Sequence, residues 1–235
     1  MSKQFKAFGL FLSALAVFGT LSYAAATKQA VVDKAKKTPV GGDVFFVFHE
    51  RGSRLNHYAP SGWMGDYSDL HINMGWIKDV AKPKGAKAAA KKAAVADVDA
   101  DKDETSMQFK YTAERKQGAG WAGVYWQHPA NNWGDKRGGY DLSGYTKLVF
   151  WAKGEKGGEV VDKFFIGGIT GQTEEGDTDE ASISPVQLTK DWKEYSIPLT
   201  GLDLSHIIGG FGFAINADSN PNGATLFLDE VRFEK

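Results

Sequence analysis

Apolar residues in this chain come in short runs cut by glycine, asparagine, aspartate and proline, and past Gly42 no persistent apolar stripe recurs at helical spacing. Met107, Phe109 and Tyr111 alternate with Gln108, Lys110 and Thr112, the period of a half-buried strand. Phe211, Phe213 and Ile215 keep the same step within Ile207–Asn216, as do Tyr195, Ile197 and Leu199 within Trp192–Leu199. Lys147–Lys153 is apolar on both faces and reads as a central strand. Asp43–Glu50 reads as the first strand, and Thr225–Phe233 as a closing strand paired with Ile207–Asn216. Between them, Arg51–Asp69 reads as a long aromatic-rich loop, because Pro60, Gly62 and Gly65 break regular structure. Gln172–Ala181 reads as an acidic, mobile connection. About eight to ten such strands specify an all-β fold, a two-sheet jelly-roll β-sandwich.

The chain divides unevenly around that domain. Lys3 and Lys6 precede the apolar run Ala7–Phe18, and Ser22-Tyr23-Ala24 and Ala24-Ala25-Ala26 follow as small-residue cleavage sites. This is the layout of a secretory signal peptide over residues 1–26; the apolar run is shorter than the roughly 20 residues that span a bilayer. The mature protein is therefore expected to be periplasmic or secreted, with residues 27–42 a flexible lead-in and 43–235 the folded domain. Lys82–Ala96 is a low-complexity Lys/Ala insertion. After it come Asp97, Asp99, Asp101 and Asp103, but Lys102 and Gln108 stand where an EF-hand loop needs glycine and glutamate, which excludes that motif. The chain has no cysteine, so disulfides and thiol chemistry are excluded, and a net charge of −1 offers no case for nucleic acid or an anionic membrane. Neither a phosphate-cradling loop nor zinc-type ligand spacing is present.

One stretch carries the functional signal: Gly120–Gly134, GWAGVYWQHPANNWG, alternates planar rings with neutral amides and almost no charge. Sugars present C–H faces that stack on indole and hydroxyls that need fixed donors and acceptors. Strand parity puts Trp121, Tyr125 and Gln127 on one face and Ala122, Val124 and Trp126 on the opposite one, which reads as core. Trp63, Trp121, Tyr125, Trp133 and Tyr58 are the candidate stacking rings, with Gln127, Asn131, Asn132 and His57 as hydroxyl partners. Another signal lies in the last strand, where Phe227, Asp229, Val231 and Phe233 share a parity, although Leu226 and Leu228 claim the other face. If the face carrying Phe227 and Val231 is the core, Asp229 points inward and needs a cation, a backbone N–H cluster or a basic side chain as partner.

The motifs NHYAPSGWMGD (Asn56–Asp66), GWAGVYWQHPANNWG, LVFWAKGEKGGE (Leu148–Glu159), LSHIIGGFGFAIN (Leu204–Asn216) and NPNGATLFLDEVRFE (Asn220–Glu234) resemble those of exported bacterial proteins with a galactose-binding-like jelly roll. Such proteins are akin to the carbohydrate-binding modules attached to glycoside hydrolases. The resemblance covers roughly Asp43–Glu234 and implies a sandwich that binds glycan on a concave sheet or at loop tips. It also implies a structural calcium, with Asp229 matching the closing-strand ligand and Glu50 or Asp43 matching the strand-one ligand only loosely.

Three functions are then in competition. The first is a non-catalytic carbohydrate-binding protein taking a polysaccharide or oligosaccharide. The second is a periplasmic structural or adaptor protein whose aromatic face is covered by a protein partner. The third is an enzyme, either a glycosidase or a polysaccharide lyase. A glycosidase needs two carboxylates across the bond, and near the aromatic stretch Asp66, Asp69 and Asp135 show no recognisable pairing. A lyase would draw on His57, Tyr58 and Arg54.

Overall fold

The computed structural model describes residues 41–77, 105–170 and 175–235. The signal peptide, nearly all of the lead-in, the Lys/Ala insertion and the aspartate run lie outside the described residues. The domain is a two-sheet β-sandwich of the jelly-roll class. Its strands are β1 (Val44–Phe48), β2 (Ala59–Gly65), β3 (Leu70–Ile77), β4 (Thr105–Tyr111), β5 (Trp121–Gln127), β6 (Lys147–Gly154), β7 (Val160–Val161), β8 (Lys163–Gly167), β9 (Glu180–Ile183), β10 (Val186–Gln187), β11 (Lys193–Pro198), β12 (Gly209–Asn216) and β13 (Ala224–Glu234). One sheet runs β11-β6-β13-β4-β3, with β1 also on β13; the other runs β2-β5-β12-β8-β9, and β7 and β10 form a small ribbon. All of these pairings are antiparallel. Among the described residues no helix is long and apolar enough to cross a membrane.

The core fills the space between the sheets by the alternation read from the sequence. From β12 come Phe211, Phe213 and Ile215, from β5 Ala122, Val124 and Trp126, from β4 Met107 and Phe109, and all are fully buried. Trp126 packs against Phe109, Phe211 and Phe213 with ring centroids 5.2–6.5 Å apart. Burial of rings of this size supplies the largest favourable contribution to a fold without disulfides.

Three expectations are corrected. The supposed loop Arg51–Asp69 contains β2, which is an edge strand. Pro60 is tolerated there because an edge leaves one row of N–H groups without a ladder partner. Gly62 is required, because a Cβ would sit 2.8 Å from that of Tyr125 and 2.9 Å from the Gln127 amide. The closing strand does not pair with β12: it lies in the opposite sheet, between β6 and β4, and residues 217–223 cross from one sheet to the other. The end of the acidic connection is ordered as β9, paired with β8 from Phe164↔Ile183 to Gly167↔Glu180.

A bulge in β13 resolves the conflict over its parity. Pairing with β6 slips between Asp229 and Arg232, and Glu230 takes a left-handed backbone at φ 50°. Leu226 and Leu228 face the core before the bulge, and Val231 and Phe233 face it afterwards. The bulge also falls where the neighbouring strand changes. Residues 224–228 pair with β4 and residues 231–234 with β1, so β1 and β4 follow each other along one edge of β13 and meet at residues 229–230.

Candidate functional site

The outward face of the β2-β5-β12-β8-β9 sheet is built from small residues with rings laid across them. Gly62 and Met64 of β2 stand opposite Tyr125 and Gly123 of β5; Gly212 and Ala214 of β12 stand opposite the same two; Phe165 and Lys163 of β8 follow, then Ser182 and, one pair further on, Glu180. Tyr125 and Phe165 meet edge to face at 4.8 Å, and with Ile169, Ile208 and Ala214 they form a smaller apolar cluster outside the main core. Glycine makes this possible, since a Cβ at Gly209 would lie 2.5 Å from the Tyr125 ring and one at Gly212 would lie 2.4 Å from the Phe165 ring. The result is a groove of about 410 Å³ floored by Tyr125, Phe165 and Ala214 and flanked by Trp121, Met64, Lys163 and Glu180. The Tyr125 hydroxyl donates to the Gly167 carbonyl at one end of the groove. Burial, with the charges of Asp177 and Glu180, pushes that phenol well above its ordinary value, so it stays a neutral donor.

Two exposed rings flank Tyr125: Trp121 lines the groove, and Trp133 lies outside its lining. Trp121 is 38% exposed and Trp133 42%, and Trp133 meets Tyr125 edge to face at 6.2 Å. Along β5, Trp121 and Tyr125 are four residues apart, about 14 Å at a rise near 3.4 Å per residue. Each ring is held by a neighbouring loop. Before Trp121, the buried Asp66 carboxylate accepts the N–H groups of Gln117 (2.8 Å), Ala119 (2.9 Å) and Gly120 (2.6 Å). Burial pushes this carboxyl up, but those N–H bonds and the Arg115 charge outweigh it and hold Asp66 below the usual range. At the other end Asn132 is the hub of the Trp133 loop. Its amide nitrogen donates to the carbonyls of His128 (3.1 Å) and Lys136 (2.9 Å), and its oxygen accepts the N–H groups of Gly134 (3.0 Å) and Lys136 (3.2 Å). Gln127 donates to the Asn132 carbonyl at 2.9 Å and accepts the Ser61 hydroxyl at 3.0 Å.

The structure therefore brings together Trp121, Tyr125 and Trp133 from the sequence-derived set, with Asn131 exposed in the same loop as Trp133. It places the others elsewhere. The Gln127 and Asn132 amides are both fully buried: Asn132 bonds within the loop that carries Trp133, and Gln127 bonds that loop and Ser61 of β2. Trp63 alternates inward and packs against the core. Tyr58 is a core residue donating to the Ile207 carbonyl at 3.0 Å. His57 is bonded to the Phe46 carbonyl at 2.8 Å and stacked on Phe45 with centroids 3.9 Å apart. Sequence reasoning missed Met64, Phe165, Lys163 and Glu180 as groove residues, although the glycines of β12 are a signal that rings cross its outer face. Tyr67 is 52% exposed on the 3-10 turn Tyr67–Asp69, which packs against β5, and is not among the groove's lining residues.

Of the expected metal ligands, Asp43 stands apart from Glu50 and Asp229. Asp43 is exposed at the far end of β1, its carbonyl accepting the Lys235 N–H at 3.2 Å. Glu50 lies at the junction of β1 and β4, where its Oε2 accepts the N–H (2.6 Å) and hydroxyl (2.7 Å) of Thr105. Asp229 is buried in the bulge, and its Oδ1 accepts the Glu230 N–H at 2.9 Å. The residues that converge are His49, Glu50 and Glu230, whose candidate donor atoms lie within 4.8 Å of one another, all buried. Calcium favours six to eight oxygens. The side-chain donors of these three residues are one imidazole and two carboxylates.

A jelly-roll sandwich with an aromatic groove across one sheet has the build of a carbohydrate-binding module. Residues 67–235 match the family described as Carbohydrate binding domain 30, and the chain belongs to that family. Among solved structures it is similar to the family 30 carbohydrate-binding module of a cellulosomal cellulase of Clostridium thermocellum, at 14% identity over 82% of this chain and 97% of that one, with a TM-score of 0.49. It is also similar to a family 11 module from Clostridium thermocellum in complex with a β-1,3-1,4-mixed-linked tetrasaccharide, at 16% identity over 84% and 97% of the two chains, with a TM-score of 0.46. No curated protein matches the chain.

Proposed function

We propose that the protein is a non-catalytic, exported carbohydrate-binding module that takes an extended glycan chain across Trp121 and Trp133. The observation that carries this reading is a groove floored by Tyr125 and Phe165, with the exposed Trp121 in its wall and the exposed Trp133 edge to face with Tyr125. Sugar rings stack on the indoles through dispersion and C–H contacts, and Glu180, Ser182 and Lys163 along the β8–β9 wall supply groups for hydroxyls. The carboxylates near the aromatic stretch in sequence are committed to turns, and Asp177, raised by burial beside Tyr125, likewise accepts the backbone N–H groups of Ile169, Ile208 and Gly209. Asp66, Asp69 and Asp135 all accept backbone N–H groups in turns, at 2.6–3.1 Å, and Asp66 is held ionised. A glycosidase acid needs the opposite shift.

The test is affinity electrophoresis of the protein, from Thr27 onward, through gels cast with a panel of soluble polysaccharides. The same samples are assayed for new reducing ends and for unsaturated products. Retardation in at least one gel without product is expected. Product formation would replace the reading with an enzyme, and no retardation in any gel would favour a protein partner on the aromatic face. Export is tested separately by mass spectrometry of the mature N-terminus, expected within Ala24–Thr27.

A further inference from the structure

His206 joins two segments that border the groove. Its Nδ1 lies 2.8 Å from the Gly176 carbonyl oxygen and its Nε2 lies 3.0 Å from that of Gly138. A carbonyl oxygen only accepts, so each contact needs an N–H; the protonated ring carries both, and the neutral ring carries one. Gly138 lies on the returning limb of the loop that carries Trp133. A Cβ there would stand 2.3 Å from both the His128 carbonyl oxygen and the Pro129 ring, so the two limbs of that loop touch. Gly176 lies on the segment ahead of β9, the strand that brings Glu180 to the groove wall. We propose that His206 is a positioning residue: its protonated ring clamps the Trp133 loop to the segment ahead of β9, and glycan affinity falls as the ring gives up its proton. The effect on affinity rests on the glycan-binding reading, whereas the clamp rests on the two carbonyl contacts alone.

The backbone of His206 is fixed independently of its ring. The Thr178 N–H donates to the His206 carbonyl at 2.9 Å, and the His206 N–H donates to the Thr178 hydroxyl at 3.2 Å. The ring therefore cannot swing away when it loses a proton; it presents a lone pair to one of the two carbonyls, and that segment must shift. Asp177 is the anion coupled to the ring: burial pushes its carboxyl up, and three backbone N–H bonds and the charge on His206 pull it down. Glu175 and Asp179 stand on the same segment, Asp203 on the loop of His206 itself, and Arg137 beside Gly138. The remaining titratable ring at this end, His128 in the Trp133 loop, acts with the opposite sign. Its Nδ1 accepts the Gly139 N–H at 3.1 Å, a bond that protonation would break. Acid loosens the loop through His128 and base loosens it through His206, so the direction of the pH dependence separates the two.

The experiment follows imidazole and indole nitrogens by NMR in the glycan-free protein from about pH 5 to about pH 8, the range in which imidazoles change charge. His206 should hold protons on both ring nitrogens at the acid end, and the Trp133 indole signal should move in the step in which His206 loses one. Isothermal titration with the polysaccharide giving the strongest gel retardation should then show an affinity lower by roughly two- to tenfold at the alkaline end, the worth of one hydrogen bond. His206→Gln should flatten that profile, since an amide does not change charge, and His128→Gln should keep its slope. A His206 ring that is singly protonated across the range would overturn the proposal, as would an affinity that rises with pH or a slope that survives in His206→Gln. Should no polysaccharide bind, the glycan-binding reading fails, while the ring and indole signals still decide the clamp. Should His206→Gln fail to fold, the same signals in the unsubstituted protein decide.

Discussion

Asn132→Ala separates two roles that one residue could play at the aromatic groove. In the structure its side chain makes four hydrogen bonds, to the His128 and Lys136 carbonyls and from the Gly134 and Lys136 N–H groups, and it faces no solvent. Each such bond contributes about 0.5–1.5 kcal/mol net, and those left buried without a partner cost more, so truncation should remove about 2–4 kcal/mol from the ordering of the loop. Part of that energy is local. The loop can open without the sandwich unfolding, and global stability then falls by less than the full amount. Trp133 goes with the loop, so glycan affinity should fall along with stability. The assay pairs denaturant unfolding with titration of a glycan that binds the unsubstituted protein. A loss of affinity with stability and loop proteolysis unchanged would refute the reasoning, since it would mean that Asn132 touches sugar directly. Unchanged affinity and unchanged stability would refute it equally.

Gly212→Val drives a side chain into the Phe165 ring, 2.4 Å from where its Cβ would stand, and should cost about 1–3 kcal/mol as overpacking while disturbing the groove floor. Denaturant unfolding within about 0.5 kcal/mol of the parent would contradict the placement of that ring. Asp66 gives a pH prediction. Its folded value is held below its unfolded one, so the stability it lends is complete above the unfolded value near 3.9 and is lost as pH falls through the folded value. Tryptophan fluorescence should therefore report release of the Trp121 turn in that acid range, and Asp66→Asn should lack that step; an identical acid profile in both proteins would remove the N–H cluster from the account.

Much of the fold was legible because burial alternates with strand period. The inward sets of β4, β5 and β12 and the two-sidedness of β6 follow from the residues alone. The failures have local physical causes. Pro60 and Gly62 argued against a strand, but Pro60 sits on a sheet edge and Gly62 makes room for Tyr125 and Gln127. The parity of the closing strand conflicted with itself because one residue, Glu230, is a bulge that exchanges the faces midway. At the site, rings were easier to place than amides. Trp121 and Tyr125 follow from their parity in β5, whereas nothing in the sequence says whether an amide in a turn bonds a ligand or its own loop. Asn132 bonds within its own loop, and Gln127 bonds that loop and Ser61. His49 escaped notice because the run ending in His49-Glu50 reads as the tail of a strand, and its partner Glu230 lies far along the chain.

The central claim is that glycan binds across Trp121 and Trp133. Isothermal titration of the unsubstituted protein, Trp121→Ala and Trp133→Ala with the polysaccharide giving the strongest gel retardation tests it most directly. The account predicts an affinity nearly insensitive to salt, reduced at least tenfold in each variant, or about 1.4 kcal/mol. Tm should stay close to the parent's, because both rings are exposed. Full affinity in both variants would contradict it.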